Sequence, residues 1–270
     1  MAEFHPTYLH ECLTEEEHLV RWPDSTMPIT IHIAPFTWYE KSKQMESHAY
    51  KQMVLEAMQT WTKASEGKVQ FQIVRTVDES QMNVVWRRVD RKSLGHCQYE
   101  YHKDKNHRQR FCMYSCEISI GISDGMLHAK YNSTDEVRHT IIHEFGHALG
   151  ILGHSDHPND IMYVPHQYGV TDISQRDVNT LNWLYSLPPG FNYKSMGQKK
   201  GLKPPFDLHD VLYKIAGVEP PQKKKQKKKK SPKQRPEVIQ RHQDILTQMG
   251  KFHLSTQHIQ VPPEQYKKML

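Results

Sequence analysis

Residues 143–155, His-Glu-Phe-Gly-His-Ala-Leu-Gly-Ile-Leu-Gly-His-Ser, hold the side chains whose types and spacing point to chemistry. His143 and His147 are four apart. On an α-helix that spacing puts both imidazoles on one face, one turn apart, where a single metal takes a nitrogen from each. Glu144 sits beside the first of them, so its carboxylate leans over the open side of such a metal and acts on a bound water. Beyond two further glycines, His154 is the candidate third ligand, with His157 as its rival. Three protein ligands leave one tetrahedral position for water, which is the catalytic rather than the structural pattern for zinc. The chemistry expected is metal-assisted hydrolysis.

A helix must carry this pair. Val137, Ile141, Phe145 and Ala148 recur at helical spacing, so one face is expected to be buried. Ser133 with Glu136 has the form of a capping box at its start. Gly150 is where it should stop, because glycine enters the left-handed conformation at no steric cost. Upstream, residues 28–33, 69–74, 82–86 and 116–122 alternate apolar and polar positions and read as strands. Met53, Val54, Ala57, Met58 and Trp61 give an amphipathic helix over about 41–64, ended by Glu66-Gly67. Downstream, Ser174 to Asp177 caps a helix whose inner face is Val178, Leu181, Leu184 and Tyr185, and Pro188-Pro189-Gly190 ends the domain.

His143-Glu144-x-x-His147, Gly150, His154-Ser155 and Met162 within Asp160-Ile161-Met162-Tyr163 together resemble the metzincin peptidases. Within them the chain is similar to the matrixins, the matrix metalloproteinase-like peptidases of family M10, of the small bacterial type. The resemblance covers roughly residues 20–190. It implies an α/β (α+β) zincin fold: a twisted five-stranded mixed sheet, two backing helices, the active-site helix, and a small C-terminal subdomain in which Met162 forms the Met-turn beneath zinc. It implies a zinc metalloendopeptidase with Glu144 as general base and His143, His147 and His154 as ligands. The serine after His154, and the eight residues from there to Met162, favour His154 over His157. The strand around Leu94 and Gly95 corresponds to the edge that pairs with substrate, and residues 163–168, with Pro165 and Tyr168, to the wall of the side-chain pocket.

Two departures from the family pattern stand out. Three residues, Ile151, Leu152 and Gly153, separate Gly150 from His154 where two are usual, and Gly153 is expected to absorb the extra one. His96 stands where vertebrate matrixins begin a structural zinc site, but its companion ligands are missing. One catalytic zinc is therefore expected and no structural zinc; calcium is left open, with nothing in the residues to indicate it. Cys12 is the sole counterpart of a latency cysteine, and without the longer switch motif around it the residue reads as a dispersed surface thiol.

Charge divides the chain. Residues 198–270 hold seventeen Lys and Arg against six Asp and Glu, leaving nineteen against twenty-four in the remainder. A mildly acidic domain over residues 21–190 is expected, after an N-terminal extension over 1–20 and before a basic, partly disordered tail over 191–270. That tail has a short amphipathic helix at 207–216, a self-repelling run of seven lysines within 223–230, and a helical piece at 237–249. The lysine run has no interleaved aromatics, so it suits non-specific contact with acidic surfaces or nucleic acid rather than base readout. No apolar run is long enough to span a membrane, and residues 1–21 lack the pattern of a signal peptide, although the family is commonly extracellular. The four cysteines form no CxxC pair, and Cys97, Cys112 and Cys116 would pair only in an oxidising compartment. A monomer acting on protein or peptide substrates is the expectation. A non-catalytic zincin-fold protein, capturing peptides or surfaces with its basic tail, is the alternative.

Overall fold

The computed structural model describes residues 7–36, 44–88, 94–122, 134–164 and 169–220. A five-stranded sheet forms its centre: β1 (Ile29–Ile33), β2 (Phe71–Ile73), β3 (Met82–Arg88), β4 (Gly95–Tyr101) and β5 (Met113–Ile122). The order is β2-β1-β3-β5-β4. Every neighbouring pair is parallel except β4 with β5, so the antiparallel β4 is an edge. Parallel strands need helical crossovers, and α1 (Gln44–Ala64) supplies the one between β1 and β2. The long helix α1 and α2 (Thr134–Ala148) pack on one another behind the sheet. This is the five-stranded mixed sheet that the resemblance implies, with α1 and the helix of the His143–His147 pair packed behind it.

The apolar stripe of α1 is buried at Met53, Val54, Ala57, Met58 and Trp61. Glu66 and Gly67, at φ of 54° and 80°, then turn the chain toward β2. Helix α3 (Gln175–Ser186) opens on a full capping box, in which Ser174 and Asp177 each bond the other's backbone N–H. Two short helices follow, α4 (Tyr193–Lys199) and α5 (Leu208–Ala216), the latter capped by Asp207 and closed by Gly217 at φ 67°. The sequence reading missed α4.

The core runs past both boundaries drawn from sequence at residues 21 and 190. Tyr8, Leu9, Cys12, Leu19 and Val20 are fully buried, and so are Val211 and Leu212. Burying one such aliphatic side chain is worth about 1.5–3 kcal/mol. Segments carrying several of them are integral to the packing rather than appended to it. Cys12, expected as a dispersed surface thiol, lies under Leu152 and Gly153, where burial pushes its pKa up to about 12. Expectations for Ser133, Pro165, Tyr168, the lysine run and the helix at 237–249 fall outside the described residues. Among the described residues no helix is long and apolar enough to cross a membrane.

Candidate metal centre and cleft

Helix α2 is sheathed in protein. Its residues Val137, Ile141, Phe145 and Ala148 are buried, as the spacing requires, but so are His139, Thr140, His143 and Glu144 on the other side. Two indole donors fix it: Trp61 Nε1 donates to the Ile142 carbonyl at 3.0 Å and Trp22 Nε1 to the Ala148 carbonyl at 2.8 Å. The second, with Tyr185 donating to the Leu149 carbonyl at 3.0 Å, satisfies carbonyls that a helix end leaves unpaired. Gly150, at φ 104°, turns the chain, and a Cβ there would strike the Val20 carbonyl oxygen.

After that turn the chain brings His154 back to the helix. Ligand-type nitrogens of His143, His147 and His154 all lie within 4.8 Å of one another. His157 is not in this group; it is exposed, and its ring accepts from Asn159 N–H at 3.4 Å. Gly153, in the three-residue stretch before His154, packs so closely on the Glu11 carbonyl that a Cβ has no room.

The tautomers follow from the partners. His143 Nδ1 lies 2.8 Å from the Ile161 carbonyl and His147 Nδ1 2.7 Å from the Ile151 carbonyl. A carbonyl only accepts, so each Nδ1 carries the proton and each Nε2 keeps its lone pair, as metal-binding imidazoles require. Burial, and then the neighbouring His143, push His147 down to about 3, and burial also lowers His154. Both effects favour the neutral, ligating form.

Glu144 is 6 % exposed, and burial raises its carboxyl to about 7. Its Oε2 is buried with no hydrogen-bond partner among the described residues. Across from it stands Gly95, at the start of the edge strand β4. A Cβ on Gly95 would lie 2.5 Å from Glu144 Oε1, so only glycine lets the strand approach the carboxylate this closely. Leu94 and Gly95 line a cleft of about 580 Å³ together with Thr140, Tyr163, Glu144 and the three histidines. Thus the structure brings Leu94 and Gly95 to the same cleft as the histidine cluster, with the exposed Val164 at its rim. His139, which also lines the cleft, donates from Nδ1 to the Val170 carbonyl at 2.7 Å and stacks on His143.

Met162 is fully buried beneath α2, its sulfur in the space a Cβ on Gly146 would take. The turn that carries it is held from two sides. Ser155 N–H donates to the Met162 carbonyl at 2.9 Å, and the Ser155 hydroxyl bonds Asp160, which also accepts from Ser174 Oγ at 2.7 Å. Asp177 accepts from Ile161 N–H at 3.0 Å through one carboxylate oxygen and from the Tyr8 hydroxyl through the other. A continuous path therefore runs from Tyr8 through Asp177 and the Ile161 peptide to His143. Sequence reasoning found Asp177 only as a helix cap and did not find Tyr8 at all, since 169 residues separate the two.

Imidazoles converging on one point, from the buried His143, the half-buried His147 and the exposed His154, with the Glu144 carboxylate beside them, fit a divalent zinc ion that keeps one position for water. A comparison with known protein families matches residues 22–186 to Matrixin, the M10 peptidases. A search of curated proteins finds no match.

Proposed function

The chain belongs to the matrixin family, and on that premise we propose that it is a zinc-dependent endopeptidase in which Glu144 is the general base. The reading is carried by one arrangement: His143, His147 and His154 gather their nitrogens within 4.8 Å, with the buried Glu144 carboxylate adjacent. His143 and His147 present Nε2, held in that tautomer by the Ile161 and Ile151 carbonyls, and His154 completes the ligand set. Zinc, when bound there, polarises the scissile carbonyl and lowers the pKa of water toward neutrality. Glu144 takes the proton of the attacking water and hands it to the departing amine, so one carboxylate serves as base and then as acid.

Substrate docking uses the edge strand. β4 pairs with β5 on one side only, so its other side offers backbone donors and acceptors to an extended peptide. Leu94 and Gly95 bring that edge to the cleft, and the side chain beyond the cut bond enters beside Thr140 and Tyr163. Calcium has no part in this reading.

The test is digestion of an unstructured protein with Glu144→Ala set against wild type. Loss of a general base lowers turnover by about two to four orders of magnitude. The zinc content of the variant stays at one per chain. Undiminished turnover in the purified variant would remove Glu144 from the mechanism.

A further inference from the structure

The inner side of the edge strand carries a pair of thiols that the chemistry above does not use. Cys97 on β4 and Cys116 on β5 hold their sulfur atoms 3.4 Å apart, and both are free. In the antiparallel register Cys97 faces Ile118 and Cys116 faces Tyr99, so the two cysteines are diagonal neighbours. Cys97 lines the cleft beside Gly95 and Glu144, whereas Cys116 is buried behind it at 3 % exposure. A reagent in the cleft therefore meets Cys97 first, with a second thiol already in contact with it.

We propose that Cys97 and Cys116 form a dithiol modification site in the cleft wall, which takes low-molecular-weight disulfides and closes into an intramolecular disulfide. The Cys97 thiolate attacks one sulfur of the reagent, whose S–S bond breaks. One half leaves as a thiol after taking a proton, and the other half stays on Cys97 as a mixed disulfide. The Cys116 thiolate then attacks the Cys97 sulfur and releases the second half. Two protein thiols are oxidised and one reagent disulfide is reduced to two thiols. The hydrogen bond with Cys116, then burial, then the charges of Cys116 and Glu144 raise the Cys97 pKa, so the exchange is slow at neutral pH and quickens as pH rises.

Closure has a mechanical consequence. Diagonal residues on antiparallel strands stand about 7–8 Å apart, whereas disulfide-bonded Cα atoms stand about 4.4–6.8 Å apart. Closing the sulfur gap from 3.4 Å to the about 2 Å of a disulfide draws the edge strand toward β5 at this point. Gly95, two residues away, has no room even for a Cβ beside Glu144, so a shift of the strand there changes its spacing to that carboxylate.

The experiment treats the native full chain with oxidised glutathione at mildly alkaline pH and maps its thiols by mass spectrometry. Wild type should lose two of its four free thiols to a Cys97–Cys116 bond that dithiothreitol reverses. Cys116→Ser should stop at a glutathione adduct on Cys97, and Cys97→Ser should leave Cys116 unmodified. Four surviving thiols in wild type, a bond that uses Cys12 or Cys112, or an adduct on Cys97 that never resolves would each overturn the site. The effect on turnover rests on the peptidase reading: bonded wild type should lose about tenfold and recover on reduction, and unchanged turnover would overturn the link to Glu144. A fully reduced protein with no peptidase activity counts against the peptidase reading alone, and the mapping still decides the dithiol.

Discussion

His143 and His147 ride on one helix, while His154 sits on a loop, residues 151–163, with scarcely any regular structure of its own. The first two are placed by the 3.6-residue period, and any stable helix with that spacing would align them. The third is placed by contacts from elsewhere in the chain. Glu11 and Cys12 pack on Leu152 and Gly153, Asp160 ties Ser155 to Ser174, and Tyr8 with Asp177 holds the Ile161 peptide. The two halves of one cluster thus have different vulnerabilities. The position of the helical half fails when α2 fails; the loop half, whose Ile161 and Ile151 carbonyls also hold the His143 and His147 rings, fails when a distant support is removed and α2 is untouched.

The largest effect should come from the loop ligand itself. His154→Ala is expected to release zinc on dialysis at neutral pH, a loss well beyond the about 10–100-fold that follows removal of an outer support. His157→Ala, which removes an exposed side chain outside the cluster, should keep its metal. Metal analysis that gave the reverse order would relocate the third ligand and dissolve the contrast between the halves.

A support should cost less than a ligand. Tyr8→Phe keeps the ring but deletes the hydroxyl that Asp177 accepts. Zinc affinity, measured by competition with a chelator, should fall about tenfold, and unfolding in urea should show a loss of about 1 kcal/mol. Unaltered zinc affinity alongside that stability loss would mean Tyr8 is only a packing residue. The turn at Ile161 would then stand without the Tyr8 hydroxyl.

The last effect lies within the helical half, leaves every side chain of the cluster in place, and is read by pH in the metal-free protein. The folded pKa of His147 is depressed to about 3, so between there and its ordinary 6.5 the unfolded state binds more protons and stability rises with pH. The slope is at most about 1.4 kcal/mol per pH unit. Glu144 has the opposite sign: with its pKa raised from 4.5 to about 7, the folded state binds more protons in that window and stability falls as pH rises. The two contributions oppose each other from 4.5 to 6.5, while His154, lowered by burial, adds weakly in the sense of His147. Glu144→Gln removes the opposing term, so the metal-free variant should gain more stability than wild type across that window. Parallel urea midpoints for the two proteins would show that Glu144 is solvated and does not share the burial of α2.

What the sequence by itself determined is the part that depends on neighbours along the chain. The His143-Glu144-x-x-His147 pair, the stop at Gly150, the capping box at Ser174 and the alternation of the strands all rest on backbone periods and local hydrogen bonds, and spacing alone encodes those. The family likeness supplied Met162 and the choice of His154 over His157. Tertiary structure decided what depends on distance through space. Residues 7–20 belong to the core because Tyr8 meets Asp177 and Leu9, Leu19 and Val20 are buried, although nothing in their composition marks them off from a polar extension. Gly95 had to be glycine because a carboxylate from another element presses on it, and Cys97 became a partner of Cys116 only through the register of two strands. In each case the contact joins residues remote in sequence. No local period carries information about such a pair, and only the folded sheet and helices bring its members within reach.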